Sequence, residues 1–328
     1  MQIGELTAKD FASDQDLRWC PGCGDFAILK QVQTVLAKLG HSQEDTVFIS
    51  GIGCSSRFPY YMNTYGMHSI HGRAAAIASG LRLTREDLNI WIVTGDGDSM
   101  SIGGNHLIHL LRRDLNVNLL LFNNEIYGLT KGQYSPTSKK DLITKSSPYG
   151  NQERAFDTLA LCFGAGASFI ARSIDREAKH LQEILIQTNE HEGSSFLEIY
   201  QNCHIFNDGT FQNYSDRSLQ KINALFLEDG KPLVFGEHQE LAIKLDGLNP
   251  KVVLKDEYSL EDLWIHDSSD RVKASILINE VDTQENFPKL FGVVYKKEKL
   301  NTRSNSPNKL SENYLLDLLK GSNSWLVK

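Results

Sequence analysis

The stretch that decides the fold begins Asn89-Ile90-Trp91-Ile92-Val93-Thr94-Gly95-Asp96-Gly97-Asp98 and closes Val117-Asn118-Leu119-Leu120-Leu121-Phe122-Asn123-Asn124. Each half opens with a short apolar run bounded by turn residues, the pattern of a strand buried on both faces of a parallel sheet. Between them, Ile102, Leu107, Ile108, Leu110 and Leu111 suit a crossover helix starting after Gly103-Gly104. The acidic pair Asp96/Asp98 and the amide pair Asn123/Asn124 therefore fall at the carboxyl ends of two strands of one βαβ unit. That edge is where open α/β sheets bind ligands.

Working outward, the same alternation continues. Asp25 is placed to cap a helix with Ile28, Val32, Val35, Leu36 and Leu39 on its inner face and Gly40 at its end. Thr46–Ser50 reads as a strand, Arg73–Leu83 as a small-residue helix and Phe156–Phe163 as a short helix. Ala167–Ala171, Arg176–Thr188 and Ser195–Tyr200 follow as strand, helix and strand. Alternation of this kind predicts an α/β fold with a doubly wound, largely parallel sheet. Beyond about Tyr214 the apolar runs shorten and charge increases, so the expected division is a core over 1–215 and a C-terminal extension over 216–328. The extension is expected to carry strands at 233–235 and 252–254 and a final helix at 311–319.

Asp96 offers a carboxylate and Asn124 a neutral carbonyl, two hard oxygen ligands suited to Mg²⁺ in company with phosphate. Gly95 and Gly97 allow close backbone approach, and a helix N-terminus beyond them favours an anion. With 25 residues between Gly97 and Asn123, the pair resembles the thiamine-diphosphate signature, GDG followed by NN. That resemblance implies Mg²⁺ held by Asp96, Asn124 and the backbone oxygen of Ile126.

The chain of 328 residues carries a formal charge of −7 with no long basic run, which argues against a nucleic-acid partner. No apolar run is long enough for a membrane span and Met1–Glu5 opens polar, so the expected location is the cytoplasm. There, five cysteines point to metal ligation, catalysis or buried thiols rather than disulfides. Cys20 and Cys23 form a CxxC; Cys54 and Cys203 each follow a strand at the edge that carries Asp96. Four thiolates suit zinc or a [4Fe–4S] cluster, and spacing alone does not choose. Proximity to a redox-capable cofactor favours iron–sulfur. Cys162, on the apolar segment Leu159–Phe163, reads as a buried small hydrophobe.

Trp19–Gly24, Gly51–Phe58, His71–Ala74, Gly95–Asp98, Asn123–Gln133 and Cys203–Gly209 together resemble the β subunits of 2-oxoacid:ferredoxin oxidoreductases, over roughly residues 15–215. The segment Ser55–Gly66 is most similar to the 2-oxoglutarate type. The resemblance implies the thiamine-diphosphate-binding (pyrophosphate) domain and a [4Fe–4S] cluster on Cys20, Cys23, Cys54 and Cys203. It implies CoA-dependent oxidative decarboxylation of 2-oxoglutarate to succinyl-CoA and CO₂, with electrons passing to ferredoxin. It also implies an α subunit that supplies the Glu facing the cofactor's pyrimidine ring, so that the chain acts only in an assembly such as (αβ)₂.

Within that reading Arg57 is the candidate for the distal carboxylate of the substrate, and His71, with His68, for hydrogen bonding or proton transfer. Gly128, Leu129 and Thr130 are expected at the cofactor, Lys131 at the diphosphate or coenzyme A. Asp98 and Ser99 are expected to meet the diphosphate or to cap the helix. Competing readings are the same chemistry on pyruvate or another 2-oxoacid, a zinc-stabilised assembly subunit without activity, and an electron carrier without thiamine.

Overall fold

The structure is a computed structural model and describes residues 6–297 and residue 320. Residues 6–297 lie in one compact unit. The helix expected at 311–319 lies outside the described residues.

The unit opens with an irregular arm, then α1 (Asp25–Leu39), β1 (Thr46–Ser50), β2 (Tyr65–His68), α2 (Ala74–Thr84), β3 (Asn89–Gly95), α3 (Gly104–Arg113) and β4 (Val117–Asn123). α4 (Thr158–Gly164), β5 (Phe169–Ile174), α5 (Ala178–Glu190) and β6 (Ser194–Tyr200) complete the alternation. Strands β1–β6 are parallel and stand in the order β2-β1-β3-β4-β6-β5. Strand alternation divides the apolar side chains between two faces. Phe48, Trp91, Val93 and Leu120 pack under α1 and α5 with Ile28, Val32, Leu181 and Leu185. Val47, Ile49, Ile90, Ile92 and Leu119 pack under α2 and α3 with Ala78, Leu107 and Leu110. Both faces are covered, as the near-continuous apolar runs require.

Two expectations need correction. Asp25 does not cap α1: the N-cap is Gly24, and Asp25 lies inside the first turn, buried, with neither carboxylate oxygen hydrogen-bonded. The expected boundary near 215 falls inside this unit. After α6 (Gln212–Ser215) and α7 (Arg217–Asn223), β7 (Ala224–Phe226) joins the main sheet through β11 (Lys289–Lys296), which runs antiparallel to β5. Only β8 (Val234–Phe235), β9 (Leu241–Asp246) and β10 (Asn249–Leu254) make a separate three-stranded sheet. α8 (Arg271–Ile276) precedes β11.

A buried ion network ties this segment to the core. Arg172 on β5 donates from Nε to Glu198 Oε2 at 2.6 Å and from Nη1 to Asp282 Oδ1 at 2.7 Å. Burial acts to lower the Arg172 pKa, but Asp282, Tyr200 and Glu198 outweigh it and hold the pKa well above its ordinary value.

Candidate active site and cluster site

Loops leaving β1, β3, β4 and β6 meet at the carboxyl edge of the sheet. One cavity there is lined by Cys54, Gly95, Asp96, Asn124, Ile126 and Gln201, among others. Cys54, the GDG motif and Asn124, up to 70 residues apart in sequence (124 − 54), thus share one space. That convergence follows from strand order, since β1, β3, β4 and β6 are successive neighbours.

Asp96 is buried, and its Oδ2 accepts the hydroxyls of Ser135 at 2.5 Å and Thr137 at 2.6 Å. Burial pushes its pKa up to about 6, against those two hydrogen bonds. A carboxylate so desolvated favours a cation beside it. Thr137 also touches Asn123 Oδ1 at 3.0 Å, and the other Asn123 terminus donates to Glu198 Oε1 at 2.8 Å. Asn124 Nδ2 donates to Gln201 Oε1 at 2.9 Å, and Asn124 Oδ1 accepts the Ile126 N–H at 3.2 Å. A buried carboxylate, an amide oxygen and a nearby backbone segment are the donor set that a diphosphate-bridging Mg²⁺ uses, and the residues present fit it.

Gly95 and Gly97 serve different ends. A Cβ at Gly95 would meet nothing closer than the Ser55 hydroxyl at 3.4 Å, which leaves the backbone open to the cavity. A Cβ at Gly97 would sit 2.1 Å from the Tyr127 ring, so that glycine admits Tyr127, whose hydroxyl donates to Gly97 O at 2.8 Å.

Asp98 neither caps a helix nor keeps an oxygen free for phosphate. Its Oδ1 accepts the N–H of Gly72 at 2.7 Å and of Ile52 at 3.1 Å and meets His71 Nδ1 at 2.6 Å; its Oδ2 accepts the Thr94 hydroxyl at 2.7 Å. The loop Gly128-Leu129 lines the cavity, whereas Thr130 turns away to hydrogen-bond Gln133. Lys131 and Gly132 complete that turn with positive φ.

The four cysteines gather beside this cavity. Cys23 N–H donates to Cys20 O at 3.0 Å, Gly24 N–H to Asn202 O at 3.2 Å, and Trp19 Nε1 to Cys54 O at 2.7 Å. These bonds tie the CxxC turn to the loops after β1 and β6. A Cβ at Gly128 would lie 3.6 Å from both the Cys54 and the Cys203 sulfurs. Burial, and then Asp25, raise the Cys23 and Cys54 thiol pKa values, Cys54 to about 12, and the neighbouring cysteines add to both. Burial raises Cys203 as well. Four thiolates this close need cationic charge among them. Among the described residues no three His, Cys, Asp or Glu side chains form a ready site for a single metal ion. Cys162 is fully buried in α4, as expected.

Arg57 lines a second pocket of about 610 Å³ with Arg18, Tyr60, His68 and Leu129. Ile52, Gly53 and Leu129 border both spaces, so the Arg57 pocket adjoins the cofactor cavity. His68 points its Nδ1 at Ser56 O, 2.8 Å away.

Ser135, Thr137, Glu198, Gln201 and Tyr127 were not singled out from sequence. Ser135, Thr137, Gln201 and Tyr127 lie on irregular loops and Glu198 inside β6, and no spacing marks them. Asp25 was singled out for the wrong role: burial pushes its pKa up to about 7, with Asp175 adding to the effect, and it lines the cavity beside Cys54.

Residues 51–199 match the family described as thiamine pyrophosphate enzyme, C-terminal TPP binding domain. The chain is 51% identical over 260 residues to the 2-oxoglutarate oxidoreductase subunit KorB of Mycobacterium tuberculosis, an alignment covering 79% of this chain and 69% of that one. It is 44% identical over 200 residues to the 2-oxoacid:ferredoxin oxidoreductase 1 subunit beta of Aeropyrum pernix, covering 61% of this chain and 63% of the relative. Among solved structures, the 2-oxoglutarate:ferredoxin oxidoreductase of Magnetococcus marinus, with 2-oxoglutarate, coenzyme A and succinyl-CoA bound, superposes with a TM-score of 0.73 at 33% identity. That match covers 91% of this chain and 88% of the other. With its cysteine, GDG and NN loops folded onto one sheet edge, the chain belongs to the β subunits of the 2-oxoacid:ferredoxin oxidoreductases.

Proposed function

We propose that the chain is the β subunit of a 2-oxoglutarate:ferredoxin oxidoreductase, which converts 2-oxoglutarate and coenzyme A to succinyl-CoA and CO₂ and passes the electrons to ferredoxin. The observation that carries this reading is the single cavity shared by Cys54, Asp96 and Asn124, with the Arg57 pocket opening beside it. Thiamine diphosphate supplies the electron sink for decarboxylation when bound, and a [4Fe–4S] cluster supplies a one-electron acceptor.

The chain's own residues then divide the work. Asp96, Asn124 and the Ile126 carbonyl hold Mg²⁺, and Gly95 leaves room for the diphosphate. Gly128 and Leu129 form the wall between the cofactor and the cysteines. Cys20, Cys23, Cys54 and Cys203 hold the cluster. Iron–sulfur suits that set better than zinc, because a one-electron acceptor has a use beside a thiamine cofactor and a redox-silent ion has none. Arg57 takes the distal carboxylate of the dicarboxylic substrate, a match of guanidinium to carboxylate that pyruvate does not need. His71 stands edge-on to Tyr127, which lines the cavity, and keeps one ring nitrogen beyond its contact with Asp98. An α subunit completes the site in an (αβ)₂ assembly. Among the described residues no helix is long and apolar enough to cross a membrane, which agrees with a cytoplasmic enzyme whose thiols stay reduced.

The test is the anaerobic ultraviolet–visible spectrum of the chain co-expressed with its α subunit, before and after 2-oxoglutarate and coenzyme A. A brown absorbance that bleaches with 2-oxoglutarate is expected. A colourless protein overturns the cluster assignment, and bleaching with pyruvate alone overturns the substrate.

A further inference from the structure

We infer that Asp98 is a positioning residue for the reaction: it holds His71 as the Nδ1–H tautomer and so leaves Nε2 unprotonated on a ring that packs against Tyr127, a residue lining the cofactor cavity. The inference rests on the functional reading above for the reaction it serves, but its argument is geometric.

Asp98 is 2% exposed, and four donors surround its carboxylate. Two of them, the N–H groups of Gly72 and Ile52, can only donate, and both point at Oδ1. The Thr94 hydroxyl satisfies Oδ2. An oxygen loaded in this way is an acceptor, so His71 Nδ1, 2.6 Å from Oδ1, must carry the proton. In the neutral imidazole the lone pair then resides on Nε2.

The loop is built to fix this contact. A Cβ at Gly51 would meet Asp98 Oδ2 at 1.9 Å, and Gly72 takes a left-handed φ of +69° while pressed on Gly103, its absent Cβ only 2.5 Å from Gly103 N. Asp98 is thus clamped between the turn after β1, the loop before α2 and the end of β3. The His71 side chain remains 36% exposed. Its ring stands edge-on to Tyr127, centroids 6.4 Å apart, and Tyr127 lines the cavity. Among the described residues the charged and titratable groups that meet His71 are Asp98 and Tyr127 at the ring and Arg73, whose Nη1 donates to the His71 backbone carbonyl at 3.4 Å. A carboxylate two residues beyond Asp96 would repel a diphosphate; turned toward His71 it orients a base instead, as the acid of a hydrolase triad does.

The experiment uses the αβ complex and compares kcat, KM and the pH profile for 2-oxoglutarate in wild type, Asp98→Asn, His71→Gln and the double variant, with cluster absorbance and bound thiamine diphosphate as checks of integrity. Asp98→Asn should lower kcat by about 10²-fold with KM little changed, and the double variant should be no slower than His71→Gln alone. Multiplicative losses in the double variant would overturn the inference, because they would mean that Asp98 does not act through His71.

A second arm leaves Asp98 untouched. In His71→Ala, imidazole and 4-methylimidazole should restore activity, and 1-methylimidazole, which has no N–H to give Asp98, should not. Equal rescue by 1-methylimidazole, or rescue by none of the three, would overturn the assignment. Failure of the wild-type complex on every 2-oxoacid would count against the functional reading, whereas the ratios among variants and rescuing bases address Asp98 alone.

Discussion

Gln201 accepts the Asn124 amide at 2.9 Å through Oε1, and from Nε2 it donates to the Cys23 sulfur at 3.3 Å. One side chain at the end of β6 therefore spans the proposed Mg²⁺ site and the proposed cluster. An N–H···S bond stabilises the reduced, more negative cluster and raises its potential. Gln201→Leu should remove about 1 kcal/mol of that preference, which lowers the potential by about 40 mV for a one-electron couple. Redox titration followed by electron paramagnetic resonance reads the shift, and an unchanged potential would dismiss the bridge.

Thr137 supports Asp96 rather than any ligand directly. It donates to Asp96 Oδ2 at 2.6 Å and touches Asn123 Oδ1 at 3.0 Å, so it orients the carboxylate that would meet the metal. Outer partners of this kind are worth about 10–100-fold in metal affinity. Thr137→Val should weaken Mg²⁺-dependent thiamine diphosphate binding by a factor in that range without bleaching the cluster. Calorimetry on the co-purified complex measures it; wild-type affinity in the variant would make the contact incidental.

Arg57 sets substrate choice if its pocket receives the distal carboxylate. Arg57→Ala should raise KM for 2-oxoglutarate by at least about tenfold, the equivalent of about 1.4 kcal/mol, while pyruvate turnover changes little. Equal losses on both substrates would return Arg57 to a structural role beside Cys54.

The order of these elements was legible because parallel strands buried on both faces leave unbroken apolar runs such as Val117–Phe122, and turn residues end them. The motif residues were legible because strand ends carry the chemistry of such sheets. What escaped was held by contacts of long range. Strand β11, for which the sequence reading has no element, carries Gly292 at φ +109°, where a Cβ would strike Leu227 O at 2.7 Å, and shifts register between Val293 and Tyr295. Strand β2 is short, and three of its four residues are exposed. The roles of Asp98 and Asp25 were misjudged because a carboxylate next to a helix start reads as a cap. Only the folded chain shows that four donors have claimed the first and none the second.

Arg172 is the point at which β5, β6 and the segment before β11 are pinned together. Removing it would leave Glu198 and Asp282 buried without a countercharge, apart from Lys289 at 3.0 Å from Asp282. Breaking one side of such a network costs about 3–5 kcal/mol. Arg172→Met should therefore lower unfolding free energy by that amount, and because Glu198 also holds Asn123, cofactor binding should weaken with it. Urea titration measures the first effect; a loss under about 1 kcal/mol would mean the segment is secured elsewhere.

His180 makes the fold sensitive to mild acid. Burial alone lowers its pKa to about 4, Nδ1 lies 2.9 Å from the Ser173 hydroxyl, Nε2 has no hydrogen-bond partner, and the ring stands nearly perpendicular to Phe226 with centroids 4.9 Å apart. In the unfolded chain the group titrates at about 6.5. Between those values the unfolded state binds more protons than the folded one, so stability rises with pH across the window. The contribution is fully present above pH 6.5 and is lost as pH falls toward 4, amounting to about 3 kcal/mol over the whole interval. Burial also lowers His41 and His266, so His180→Phe should flatten the slope by about one proton and leave a residue of it. Unfolding free energies at pH 7.5, 6 and 5 give the slope directly. An identical slope in the variant would dismiss His180 as a source of the acid sensitivity, because a phenyl ring keeps the packing on Phe226 and removes only the proton.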